Sequence, residues 1–195
     1  MNNLIDKLTF EHDLSNEEFI QIIETNEYDE ELYLTADKIR REIYGDKVFV
    51  RGLIEFTNYC KNNCYYCGIR RDNKKAVRYR LSKEQILKCC NEGYELGFRT
   101  FVLQGGEDPY YNDNLMVEIV SSICHNYPDC AITLSLGEKS KDSYKAFYEA
   151  GANRYLLRHE TASLEHYRKL HPEDMSLENR KQCLFNLKEI GYQVG

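Results

Sequence analysis

From residue 48 onward, short continuous apolar runs alternate with longer stretches whose apolar positions recur every three or four residues. A continuous run of strand length reads as a buried strand, and a 3.6-residue period reads as a helix with one inward face. Runs at 48–56, 99–103, 131–136 and 153–157 predict four strands. The first is nearly unbroken in apolar residues, as in parallel strands covered on both faces. Glu55 is its exception, and a buried carboxylate is costly unless paired. Glu55 therefore reads either as a strand-end residue facing solvent or as part of a polar site. Between the strands, Ser82-Lys-Glu-Gln85 has capping-box form. It opens a helix carrying Ile86, Leu87, Cys90, Tyr94 and Leu96, which Gly97 stops. A helix over 112–127 turns Leu115, Met116, Ile119, Val120 and Ile123 inward. Ser140 caps a helix with Tyr144, Phe147 and Tyr148 that Gly151 closes. Ser176 opens another with Leu177, Leu184, Leu187 and Ile190, ended by Gly191, and 192–195 begins a fifth strand.

Two helices are expected ahead of this series. Ser15-Asn-Glu-Glu18 is a capping box followed by Phe19, Ile20, Ile22 and Ile23. Over 29–44, Leu32, Ala36, Ile39 and Ile43 keep a helical period up to Gly45. The expected organisation is a helical extension over 1–46 and an α/β domain over 47–195. Alternating β and α elements imply a parallel sheet, with ligand-facing residues at the carboxyl ends of its strands. That rule gathers Cys60, Cys64, Cys67, Gly106, Ser135, Arg158 and Glu160 on one rim. A closed eight-unit barrel takes about 250 residues. Four β/α units therefore predict the N-terminal half of a barrel, truncated, since a natural half-barrel would leave a hydrophobic edge strand unpaired.

Composition narrows the function classes. Charged residues make up 30% and hydrophobic residues 42% of the 195, as in globular proteins. The net charge of −6 speaks against non-specific binding to nucleic acid. No apolar run approaches a membrane span, and 1–13 is too polar for a secretory signal. Eight cysteines without an export signal read as cytoplasmic thiols or metal ligands.

Three of those cysteines, Cys60, Cys64 and Cys67, form C-x3-C-x2-C in the loop after the first predicted strand. Close thiolates suit a soft metal centre. Three of them holding a cube of four irons leave one iron open to a small ligand, whereas full protein ligation gives an electron carrier. Zinc is the simpler alternative, but it wants four closed ligands. His12 and His125 lie far along the chain, and there is no second C-x2-C. Cys89, Cys90, Cys124, Cys130 and Cys183 are scattered over helices and turns and read as core thiols. Arg70, Arg71, Arg78 and Arg80 make the cysteine loop basic, either to hold an anion or as a solvated surface. Gln104-Gly-Gly-Glu107-Asp-Pro109 follows the second strand, where paired glycines let a ligand approach the backbone.

The cysteine spacing, with Tyr66 just before the third thiol, resembles the signature of the radical S-adenosylmethionine (SAM) superfamily. The resemblance implies a barrel fold, a 4Fe–4S cluster on Cys60, Cys64 and Cys67, and SAM on the open iron, cleaved on reduction to a 5′-deoxyadenosyl radical. Gly105, Gly106 and Glu107 fall where the superfamily holds the methionyl amino group. The runs I-E-F-T-N-Y-C, C-G-I-R-R-D-N, F-V-L-Q-G-G-E-D-P, T-L-S-L-G-E and R-Y-L-L-R-H-E-T-A together resemble the HydE family of FeFe-hydrogenase maturases. That resemblance implies Tyr66 near the adenine, Ser135, Glu160 and Arg180 on SAM, and Arg158 and His159 lining the cavity. It also implies a small organometallic iron substrate, other hydrogenase maturases and an electron donor as partners, and an oxygen-poor setting. Methylornithine synthase and biotin synthase share much of the pattern. The latter needs further cysteines on barrel strands, absent from F-V-L-Q-G and R-Y-L-L-R. A non-catalytic iron–sulfur carrier is the alternative of another class.

Overall fold

The computed structural model describes residues 4–195. The chain divides into two units, one up to Phe49 and the other Val50–Gly195. The first unit contains α1 (Leu4–Glu11), α2 (Asn16–Glu24) and α3 (Asp29–Tyr44). α2 begins as its capping box requires, with Ser15 N–H donating to the Glu18 carboxylate at 2.9 Å. α3 ends at Gly45, whose φ of 63° suits glycine. α1 is additional to the two expected helices. Eight residues with Ile5 as the buried side chain leave too weak a pattern to read. The apolar face expected on α2 is mostly exposed, with Ile22 buried and Phe19, Ile20 and Ile23 in solvent.

The second unit runs β1 (Gly52–Thr57), α4 (Lys83–Glu95), β2 (Thr100–Gly105), α5 (Asp113–Asn126), β3 (Ala131–Ser135), α6 (Lys141–Glu149), β4 (Arg154–Tyr155), α7 (Leu164–Leu170), α8 (Leu177–Ile190) and β5 (Gln193–Val194). The strands form one parallel sheet in chain order, β1 and β5 at its edges. This is the arrangement expected of consecutive β/α units. No helix among the described residues is long and apolar enough to cross a membrane.

Side chains alternate across the sheet. Ile54, Phe56, Phe101, Leu103, Ile132 and Leu134 pack with Ile86, Met116, Ile119, Phe147 and Leu187 in one buried cluster. The opposite positions Glu55, Gln104 and Ser135 lie in register across β1, β2 and β3 and line a cavity. The reading of β1 as covered on both faces is therefore corrected: one face meets the helices, and the other presents Leu53 and Glu55, both exposed. β1 also starts later than expected. Its first pairing is Gly52 with Phe101, and Val48, Phe49 and Val50, at 86, 68 and 64% exposure, lie outside the sheet. α7 was not anticipated either, because within its seven residues only Tyr167 is buried.

Several of the sixteen tyrosines belong to this core. Tyr144, Tyr155 and Tyr192 meet edge to face, at centroid distances of 5.0 and 5.8 Å. Their hydroxyls reach backbone carbonyls: Tyr155 donates to Gly137 at 2.9 Å and Tyr192 to Tyr144 at 2.8 Å. A buried tyrosine needs such a partner, and the bond from Tyr155 also secures the turn after β3.

Leu103 is fully buried while Leu96, at the end of α4, is 79% exposed. Leu103→Ala should lower unfolding free energy by about 3 kcal/mol, and Leu96→Ala by under about 0.5 kcal/mol, in urea titrations followed by circular dichroism.

Candidate cluster and cofactor site

The cysteine loop leaves β1 at Thr57 and returns at Arg80, and both ends meet one carboxylate. Asp108 accepts from the Thr57 hydroxyl at 2.8 Å, from Arg80 Nε and Nη2 at 2.7 and 2.9 Å, and from the Tyr110 N–H at 3.1 Å. The Arg80 guanidinium also lies 3.9 Å over the Tyr59 ring, within cation–π range. Burial alone would raise the Asp108 pKa, but Arg80, Thr57 and the Tyr110 N–H together hold it below the ordinary value. Arg78 supports the loop from within, donating to the carbonyls of Asn58, Ile69 and Arg70. Arg70 donates to the Cys67 carbonyl at 3.0 Å, and Arg71 to Asp72 at 3.1 Å. The basic character of the loop is thus largely spent on the loop itself.

The glycines at the end of β2 serve the same purpose. A Cβ on Gly106 would stand 2.1 Å from the Tyr59 carbonyl oxygen and 2.8 Å from Cys60 Cβ. On Gly105 it would meet Thr57 Cγ2 at 2.7 Å. Close backbone approach is indeed why they are glycines, but what approaches is the cysteine loop. Lys61 N–H completes the contact by donating to the Glu107 carbonyl at 2.9 Å. The buried Glu107 carboxylate accepts from Glu138 N–H at 3.0 Å and pairs with Lys61 Nζ at 3.2 Å.

These constraints bring Cys60, Cys64 and Cys67 onto one cavity of about 390 Å³, a size typical of small-molecule sites. Gly106, Glu107, Ser135, Arg158, Glu160 and Arg180 line it as well, together with Tyr66. His159 does not: it is exposed on the turn after β4. All eight cysteines are free thiols. Burial raises the Cys60 pKa, and it pushes Cys64 up to about 11, with Cys60 and Cys67 adding to the shift. Among the described residues no three His, Cys, Asp or Glu side chains converge tightly enough for a single metal ion. Three thiols spread around one cavity instead present the soft donor set of a larger group, and the residues present fit a cluster.

Arg180 and Glu160 supply the opposite charges of the cavity. Burial disfavours the Arg180 charge, yet the nearby Glu138 carboxylate holds its pKa above the ordinary value. Its Nε stands 2.7 Å from Glu138 Oε1, but the pair lacks hydrogen-bond alignment, and both atoms are buried without a hydrogen-bond partner, as is the Tyr167 hydroxyl. Glu160 has φ of 65°, a strained value for a non-glycine residue of the kind found at functional sites. Its carboxylate accepts from the Tyr66 hydroxyl at 3.2 Å.

Residues 54–195 match the Radical SAM superfamily. The chain belongs to the radical SAM superfamily. Its members use a 4Fe–4S cluster and S-adenosylmethionine, the cofactors expected from the resemblance. The chain is 49% identical over 168 residues to the [FeFe] hydrogenase maturase subunit HydE of Thermotoga maritima, covering 86% of this chain and 47% of that protein. It is 35% identical over 174 residues to 3-methylornithine synthase of Methanosarcina acetivorans, covering 88% and 49%. The chain thus spans about half the length of these radical SAM relatives. The crystal structure of methylornithine synthase, PylB, matches with a TM-score of 0.82 at 32% identity, over 98% of this chain and 57% of that one. HydG, a maturase of the [FeFe]-hydrogenase, matches in fold with a TM-score of 0.85 at 24% identity, over 98% and 44%. The five-stranded parallel sheet is accordingly part of a radical SAM barrel.

Sequence reasoning passed over Asp108, His171 and Met175, and it read Arg78 only as one charge of a basic loop. For Asp108 the only cue is its place in G-G-E-D-P. The other three act through contacts that no local pattern encodes.

Asp108→Asn should destabilise the chain by about 2 kcal/mol, while Asp72→Asn, on an exposed pair, should cost under about 0.5 kcal/mol. With its folded pKa depressed, Asp108 contributes stability above the unfolded value of about 4 and loses it as pH falls through the folded value. The acid limb of the stability curve should therefore be shallower in Asp108→Asn, as denaturant titrations at successive pH values would read.

Proposed function

We propose that this chain is the cluster- and SAM-binding half of an enzyme that reductively cleaves S-adenosylmethionine. The observation that carries the reading is the convergence of Cys60, Cys64 and Cys67 on a cavity whose wall is the Gly105-Gly106-Glu107 turn. Cys60, Cys64 and Cys67 would hold the 4Fe–4S cluster. When bound and reduced, that cluster supplies the electron that breaks a sulfonium carbon–sulfur bond.

The chain's own residues bind and orient. Arg180, buried and charged, suits the methionyl carboxylate. Gly105, Gly106 and Glu107 offer backbone and carboxylate oxygens to the amino group, with Ser135 on the neighbouring strand. Glu160 accepts from ligand hydroxyls, and the half-exposed ring of Tyr66 provides a face for a planar base. Leu156 and Leu157 line the cavity and limit water. Arg158 remains free in the cavity wall to meet a substrate. His159 faces solvent and has no part in this scheme.

Within the superfamily, assembly of the FeFe-hydrogenase H-cluster is the favoured role. The 49% identity to HydE against 35% to methylornithine synthase supports it. A small organometallic iron species would then be the substrate, with other maturases and an electron donor as partners. A methylornithine synthase-like reaction is the second reading, favoured by the PylB structure. An iron–sulfur carrier would need neither the Arg180 and Glu160 charges nor the cavity.

Anaerobic reconstitution with iron and sulfide should load about four irons per chain, and added SAM should change the electron paramagnetic resonance spectrum of the reduced protein. Cys64→Ala should lose most of the iron. A Cys64→Ala chain with the parental iron content, or a parental spectrum indifferent to SAM, would overturn the proposal.

A further inference from the structure

The end of α7 and its connection to α8 grip the cysteine loop at three consecutive positions. The Leu170 carbonyl accepts from Tyr65 N–H at 2.9 Å. His171 Nε2 lies 3.4 Å from the Tyr66 hydroxyl. The Met175 thioether accepts from the Cys64 thiol at 3.6 Å. His171 is the one that touches Tyr66, whose hydroxyl also reaches Glu160 in the cavity wall.

His171 is 3% exposed and stacked on Tyr167, with centroids 3.9 Å apart and planes at 17°. Its Nδ1 lies 3.1 Å from the Tyr167 carbonyl. A carbonyl only accepts, so Nδ1 carries the proton. In the neutral ring Nε2 is then a lone pair. Burial lowers the His171 pKa and favours that neutral form. Tyr66 thus has one hydroxyl proton and two acceptors, Glu160 Oε1 at 3.2 Å and His171 Nε2 at 3.4 Å. Both acceptors lie within reach of the hydroxyl, and its single proton can be given fully to only one of them at a time.

We propose that His171 is a positioning residue: its Nε2 takes the Tyr66 hydroxyl when the Glu160 carboxylate turns to a bound ligand, so that the Tyr66 ring keeps its pose in the cavity. The ring contact supports this, since the Tyr66 and His171 rings meet edge to face at 5.5 Å. A bound ligand that draws Glu160 away would otherwise leave the Tyr66 hydroxyl without its partner. The identity of that ligand as SAM rests on the radical SAM reading; the count of donors and acceptors does not.

Two measurements separate these. In apo protein labelled with ¹⁵N-histidine, the five histidine rings can be assigned with His171→Gln. The Nε2 resonance of His171 should move toward a free lone pair in Tyr66→Phe and in the opposite direction in Glu160→Ala. An Nε2 resonance indifferent to both variants overturns the proposal. In reconstituted protein, His171→Phe should weaken SAM binding about fivefold, the worth of one net hydrogen bond, at unchanged iron content. His171→Gln, whose amide oxygen can accept, should stay near parental. Tyr66→Phe combined with His171→Phe should be no weaker than Tyr66→Phe alone, because the two remove the same bond. Parental affinity in His171→Phe, or additive losses in the double variant, also overturns it. Failure of the parental chain to take up iron or SAM would count against the proposed function, and the resonance of the apo protein would still decide for or against His171.

Discussion

A carboxylate with 1% of its side chain exposed, Asp108, ties the end of β1 to the end of β2. It binds the residue that opens the cysteine loop, Thr57, and the residue that closes it, Arg80. Those two residues also form an antiparallel bridge with each other. A long loop closed at its base has fewer conformations left to lose when its thiols are gathered. The buried charge is tolerable because every one of its contacts is a hydrogen bond from a fixed donor, two of them from a guanidinium fork. Without that clasp, Gly105 and Gly106 would have no loop to accommodate, and the three thiols would have no common wall.

The chain separates its charges by task. Arg78 and Arg80 hold the loop together through carbonyl and carboxylate partners. Arg158 and Arg180 face the cavity. A net charge of −6 gives no hint of this division. Arg180 is the costly member: it is buried, paired with Glu138 in imperfect geometry and close to an unpartnered tyrosine hydroxyl. Removing charge from water is repaid only by good partners, so this corner stores polarity suited to an anionic ligand group. Glu160, with its strained backbone, places the complementary negative charge in the same wall.

The element that completes the site, α7 with the turn behind it, is also the one least visible beforehand. It is short and contributes one buried side chain to the interior. Its value lies in what it leans against. Leu170, His171 and Met175 touch Tyr65, Tyr66 and Cys64 from more than a hundred residues away. Elements drawn from distant parts of the chain can share one ligand because the strands' carboxyl ends all open on the same side of a parallel sheet.

The amino-acid order alone determined whatever depends on near neighbours. Capping boxes at Ser15 and Ser82, glycine stops at Gly45, Gly97 and Gly191, and the alternation of apolar runs with helical periods all act within a few residues. So do the spacing of Cys60, Cys64 and Cys67 and their place after a strand. Tertiary structure decided which polar groups meet. It moved the start of β1 to Gly52, because a strand exists only where a partner pairs with it. It turned Glu55 to the cavity, left His159 in solvent, and recruited Asp108 and His171. A hydrogen bond needs its partner within about 3 Å, and no local rule says which residue a folded chain will bring that close.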